Sequence, residues 1–318
     1  MTSALPIIDL EADATHDEQW GKRVGDAIQA AFTNDGFLYL VNHGISKETF
    51  AAVREASLSF FTLPKEQKLS VATSKIHRGY HALGGALMDG ATKPDQKEFF
   101  QLGLDLPDND PDVVAGQPLR GANQWPTDLP QFKAVMEDYY KQIGQVGDTL
   151  LTAVAWSLGI SPDFFSDKYR KPLQRTQTIY YPAADFDKSE DAFGVAPHSD
   201  YGCITLLYQD HVGGLLVLNR QGDWIEAPPI EGALVVNVGD LLERWSNGQF
   251  VSTKHAVKNH SGKERVSVAT FYDPSFDAVV SPLDLGVSAA DCQFEPILAG
   301  EHIQGRINRS FDYTKEVA

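Results

Sequence analysis

Cysteine is almost missing from this chain: Cys203 and Cys292 are its only thiols, and they lie far apart in the sequence. So few thiols exclude a disulfide scaffold and fit a reducing compartment. Long apolar runs are missing too, since no uninterrupted stretch is long enough to cross a bilayer. The opening Met-Thr-Ser-Ala-Leu-Pro lacks the basic-then-apolar order of a secretion signal, so the expected location is cytoplasmic. Basic residues are scarce. Against 43 Asp and Glu there are 27 Lys and Arg, a formal net charge of −16 that opposes nucleic acid and anionic membranes as partners. A small anionic molecule stays admissible, because local arginines dominate a pocket and salt screens distant charges over about 8–10 Å. No obligate protein partner is evident, there is no fingerprint for a nicotinamide or flavin cofactor, and neither repeats nor a Pro/Ser-rich linker divides residues 1–318.

What is present is ordinary globular composition, with 42% hydrophobic and 22% charged residues. The first part, about residues 1–170, reads as helix-rich. Val24, Ala27, Ile28, Ala31 and Phe32 recur at helical spacing, which predicts a helix over about Asp17–Thr33 closed by Asn34-Asp-Gly36. Phe37 to Val41 reads as a buried strand, and Ser46 caps a second helix that stops at Leu63-Pro64. Residues 103–132, rich in Asp, Pro and Gly, read as a long surface loop before a helix over about Leu129–Leu158 that Gly159 ends.

From about residue 171 the texture changes to short β-branched and aromatic runs. Thr176–Tyr181, Cys203–Gln209, Leu215–Leu218, Ala233–Val238 and Val266–Tyr272 are separated by turn residues, the pattern of a sandwich or barrel of hairpins. The expected fold is mainly β with flanking helices around a jelly-roll core.

His198 and Asp200 flank Ser199, so on an extended chain they project to one face. His255 follows Asp200 by fifty-five residues in another plausible extended stretch and can approach from a neighbouring strand. Two imidazoles and one carboxylate are the set that holds Fe(II) on one face and leaves the opposite positions open. Arg265, ten residues after His255, has the fork that grips the far carboxylate of a chelating acid. His43, Asn237 and Asp240 read as turn-stabilising residues, and Cys203 as a small core residue on the face opposite the ligands.

The ordered string His198-Ser-Asp200-Tyr-Gly202, Gly213-Gly-Leu215, Val236-Asn237-Val-Gly239-Asp240, Ser246-Asn-Gly248, His255-Ala-Val257 and Arg265-Val-Ser267 is far more specific than any single triplet. With Pro6-Ile-Ile-Asp9, Asn42-His-Gly44, Arg78-Gly-Tyr80 and Lys97-Glu-Phe-Phe100 it covers nearly the whole chain. The sequence resembles the isopenicillin N synthase-like branch of the Fe(II)/2-oxoglutarate-dependent oxygenases.

That resemblance implies a double-stranded β-helix core and a soluble small-molecule substrate. It implies hydroxylation or desaturation, driven by O2 and oxidative decarboxylation of 2-oxoglutarate to succinate and CO2, with ascorbate as a supporting reductant. By position, His198, Asp200 and His255 would bind iron, Arg265 and Ser267 the distal carboxylate of 2-oxoglutarate, and Tyr181 the co-substrate or a nearby water. Where many plant members have an asparagine two residues before that tyrosine, this chain has Ile179, which cannot donate the same hydrogen bond. Strand alternation adds Gln177, Phe271 and Asp273 as substrate contacts, and Arg78 and Tyr80 are the N-terminal candidates. Two other readings stand beside this one: a four-electron Fe(II) oxidase of the same fold that needs no 2-oxo acid, and a metal-binding β-barrel protein without redox catalysis.

Overall fold

The computed structural model describes residues 5–87, 91–183, 193–259 and 261–310. The opening tetrapeptide and the last eight positions of the expected 1–318 unit lie outside the described residues. The chain begins with β1 (Ile7–Asp9), α1 (Glu18–Asn34), β2 (Phe37–Val41) and α2 (Lys47–Phe61). Each boundary has a local cause. Asp17 accepts from the Trp20 amide to cap α1, and Ser46 accepts from Thr49 to cap α2. Gly36 turns the chain out of α1 at φ +68°, where a side chain would be strained and would collide with the Val251 carbonyl.

Next come α3 (Lys65–Leu69), β3 (Gly79–His81), β4 (Glu98–Gly103), the short α4 (Pro111–Val114) inside the expected loop, and the long α5 (Pro130–Ser157). The strand-rich part runs β5 (Arg175–Tyr181), β6 (Val195–His198), β7 (Ile204–Gln209), β8 (Leu215–Leu218), β9 (Trp224–Glu226) and β10 (Leu234–Val238). After α6 (Asp240–Trp245) it continues with β11 (His255–Val257), β12 (Arg265–Tyr272), β13 (Val279–Val280) and β14 (Ile297–Leu298), and α7 (Ala299–Ser310) closes it.

Eight strands form one sheet in the order β1-β2-β10-β7-β12-β5-β4-β3, and β6-β11-β8-β9 form a second. Residues of both line one internal cavity, so the sheets stack as the two halves of a jelly roll. The N-terminal half, expected to be mostly helical, supplies β1 to β4 at the two edges of the large sheet. Alternation decides what faces inward. On β12, Arg265, Ser267, Ala269 and Phe271 line the interior, and on β5 Gln177, Ile179 and Tyr181 do. Their neighbours turn outward to the helices: Thr178 donates to Ser57 of α2, Tyr180 stacks on Phe61, and Tyr208 of β7 stacks on Phe50. The helices therefore brace the large sheet from outside and leave its inner face free for chemistry.

Candidate active site

His198 ends β6, and His255 begins β11 directly opposite it in the antiparallel register. Pairing across two adjacent strands sets the imidazoles side by side, with ring centroids 4.3 Å apart. Asp200 lies just past the strand end and completes the group. Its Oδ1 is 3.6 Å from His198 Nε2 and 3.7 Å from His255 Nε2, and the three ligand atoms all fall within 4.8 Å of one another. Among the described residues, no other group of three metal-ligating side chains is this close.

The neighbours aim these atoms. His198 Nδ1 meets the Ala196 carbonyl at 2.8 Å and His255 Nδ1 meets the Thr253 carbonyl at 3.2 Å. Each Nδ1–H can donate there, which leaves each Nε2 lone pair free towards Asp200. Burial first, and then His255, pushes His198 down to about 3, so its imidazole is neutral near neutral pH. Thr205 Oγ1 and Asn237 Nδ2 donate to Asp200 Oδ2 at 2.5 and 2.7 Å, leaving Oδ1 towards the imidazoles. Burial alone would raise the Asp200 carboxyl, but His255, His198 and these two donors bring it below the usual carboxylate range. A neutral His198 imidazole, a second Nε2 aimed at the same point from His255 and an ionised, pre-aimed carboxylate fit a divalent iron ion.

Gly202 serves the same construction. A Cβ there would sit 1.6 Å from Asp273 Oδ1, so only glycine lets the chain pass and the Cys203 amide reach that oxygen at 2.8 Å.

Two contiguous cavities meet at His198 and Asp200. The inner one lies between the sheets. Arg265 is fully buried on its wall, donating from Nε to the Gly213 carbonyl at 2.6 Å, from Nη1 to Ser267 at 3.1 Å and from Nη2 to Gln209 at 3.4 Å. One N–H on each terminal nitrogen is left, the two prongs a carboxylate needs. Tyr181 pairs with Arg265 across the strands and lays its ring 4.7 Å from the guanidinium carbon.

The outer cavity receives Gln177 and Phe271, as the alternation implied. Three other expected contacts do not line it. The Arg78 guanidinium is buried on the Leu119 carbonyl at 3.0 Å, while its neighbour His77, one of two flanking residues with positive φ, lines the cavity. Tyr80 faces the helices, against Phe60, and donates to Glu98. Asp273 falls past the end of β12, where alternation stops, and pairs with Arg175 at 2.9 Å.

Sequence reasoning missed other members of the site. Asn237, read as a turn residue, is a donor to Asp200, and Thr205 is its cross-strand partner. The signal was there: each is a polar residue at an inward position among apolar neighbours, Asn237 between Val236 and Val238 and Thr205 between Ile204 and Leu206. Lys97 lines both cavities and lies 3.1 Å from Asp95. Burial works against its charge, yet Asp95 and Tyr181 hold its ammonium above the ordinary lysine value. His43 and Cys203 stay structural, His43 in its turn and Cys203 in the core.

The family described as non-haem dioxygenase in morphine synthesis N-terminal matches residues 5–128, and the 2OG-Fe(II) oxygenase superfamily matches residues 172–274. A probable iron/ascorbate oxidoreductase of Dictyostelium discoideum is 37% identical over 309 residues, covering 88% of this chain and 84% of that protein. A homoarginine-6-hydroxylase of Arabidopsis thaliana is 35% identical, covering 97% of this chain and 98% of its own length. A full-length Neurospora crassa protein, solved in complex with alpha-KG and thymine, superposes with a TM-score of 0.83 at 31% identity, over 95% of this chain and 96% of that one. The chain is therefore a member of the Fe(II)/2-oxoglutarate-dependent oxygenase superfamily, in its isopenicillin N synthase-like branch, and a non-haem iron oxidoreductase.

Proposed function

We propose that His198, Asp200 and His255 hold the iron, that Arg265 and Ser267 take the distal carboxylate of 2-oxoglutarate, and that Tyr181 walls that end. The observation that carries this reading is the preset ligand triangle opening onto a buried, two-pronged arginine. Bound iron with 2-oxoglutarate and O2 supplies an oxidant for an unactivated C–H bond, yielding succinate, CO2 and a hydroxylated or desaturated product. The protein's share is positioning. Thr205 and Asn237 fix the carboxylate ligand, and Arg265 orients the co-substrate.

The primary substrate is a small soluble molecule held in the outer cavity. The relative named for homoarginine hydroxylation and the Neurospora crassa complex with thymine both concern compact polar molecules. All the parts act as one oxygenase unit, because β1 to β4 complete the large sheet, which carries Arg265, Ser267 and Tyr181. Among the described residues no helix is long and apolar enough to cross a membrane, and with two free thiols this supports a cytoplasmic location.

The test is turnover. With Fe(II), 2-oxoglutarate and ascorbate, the protein should release succinate slowly even without its primary substrate, and His198→Ala should abolish that release. A substrate oxidised at full rate with no 2-oxo acid present would replace this reading by the four-electron oxidase.

A further inference from the structure

The outer cavity carries its cations on the wall and their counter-ions behind it. Arg175 and Lys97 line it at 4% and 7% exposure, whereas Asp273 and Asp95, their partners at 2.9 and 3.1 Å, do not. Among the described residues, Asp200 is the only carboxylate on that wall, and both its oxygens are already directed, to the imidazoles and to Thr205 and Asn237. A cationic guest would meet no spare acid. An anionic guest would meet a cation with donors to spare.

Arg175 is the better placed of the two cations. Its guanidinium offers five N–H groups, and one is engaged, from Nη2 to Asp273 Oδ2. Nε is buried without a hydrogen-bond partner. Asp273 takes only that one bond from Arg175, and its other oxygen accepts from the Cys203 amide at 2.8 Å. Arg175 is also the interior position of β5 next to Gln177, at the end of the strand away from Tyr181 and the 2-oxoglutarate wall. Phe271, its cross-strand partner, lies 5.0 Å from the guanidinium carbon, which gives the anchor an apolar flank.

Resting on the iron and co-substrate assignment above, we propose that Arg175 anchors a carboxylate of the primary substrate. The substrate class is then a small organic acid, its carbon skeleton along Phe271 and Phe99 and its reacting C–H towards His198 and Asp200. A free carboxylate matches the unspent fork of Arg175, whereas a neutral amide of the same shape lacks the charge-assisted contact.

The experiment uses the full chain loaded anaerobically with Fe(II) and 2-oxoglutarate, and reads the perturbation of its visible absorption band by probes in acid and amide pairs. The pairs are benzoate with benzamide and hexanoate with hexanamide, and thymine is the uncharged planar control. Each acid should bind about 10- to 100-fold more tightly than its amide, the range expected for a charge-assisted hydrogen bond. In Arg175→Met/Asp273→Asn, which removes the buried pair together and strands no lone charge, the two members of each pair should bind alike. If that variant does not fold, Arg175→Lys keeps the charge beside Asp273 but loses the fork, and must still weaken the acids about tenfold.

No response to any acid, equal binding of acid and amide by the unmodified protein, thymine binding as tightly as the acids, or undiminished acid preference in the variants would each overturn the proposal. Absence of any 2-oxoglutarate band or of succinate release would instead sink the co-substrate assignment, so the two failures are distinguishable.

Discussion

The two cavities share His198 and Asp200 but are built by different means. The inner wall comes from facing strands, where alternation and register put Tyr181, Arg265 and Ser267 next to one another with no further instruction. The outer wall is collected from scattered places: His77 before β3, Lys97 before β4, Arg175 at the start of β5, Tyr201 after the ligand and Ile307 on α7. A wall set by strand geometry can keep one chemistry while the other is rebuilt residue by residue. The shared reaction of an oxygenase suits the first, and substrate choice suits the second.

The largest effect should come where the cavities meet. Alanine at His198, Asp200 or His255 is expected to cut succinate release by at least about 100-fold, since removing even a partner outside the ligand set costs metal sites about 10- to 100-fold. Cooperative unfolding should persist, because the core is formed by other residues. Metal analysis showing full iron occupancy in all three variants would break the shared-centre picture.

Next in size is a change confined to the inner cavity. Arg265→Lys keeps a charge but cannot reach Gly213, Ser267 and Gln209 while gripping a carboxylate with two prongs. The 2-oxoglutarate concentration for half-maximal turnover should rise about tenfold or more. An unchanged requirement would move the co-substrate to another cation, and Lys97 is the one that also lines this wall.

Smaller still is the loss of one donor to Asp200. Asn237→Ala should weaken Fe(II) binding by about tenfold. Thr205→Val should act in the same direction. The two share one oxygen, so their effects should not simply multiply, which a four-way set of iron titrations would reveal.

The same contrast governs what could be read from the sequence. Strands with strong β-branched or apolar content, such as Phe37–Val41 and Leu215–Leu218, lie where their composition puts them. The cluster of His198, Asp200 and His255 was legible because chemistry limits which side chains suit iron, and strand alternation put Gln177 and Phe271 on the face that lines the cavity. Alternation failed where the chain leaves the strand: Asp273 follows the last residue of β12, and Arg78 is flanked by two residues of positive φ. His77, Lys97 and Ile307 belong to no local pattern that points at iron. Only tertiary packing brings them to the cavity.

The smallest expected effect tests the backing of the outer wall. His81 stacks on Phe99, with ring centroids 4.0 Å apart and 12° between planes, and Phe99 lines the outer cavity. Burial first, then the charge of Lys97, holds His81 down to about 3, and burial pushes His77 the same way. In the unfolded chain an imidazole protonates near 6.5. Below that pH the unfolded state binds more protons than the folded one, so stability is fully present above about 6.5 and is lost progressively as pH falls. Each such histidine contributes a slope of up to about 1.4 kcal/mol per pH unit. His81→Phe keeps an aromatic ring on Phe99 and removes one titrating group. In urea unfolding at pH 7.5, 6.5 and 5.5, the variant should therefore lose less stability on acidification than the parent. Parallel losses would mean that His81 takes up a proton without cost to the fold.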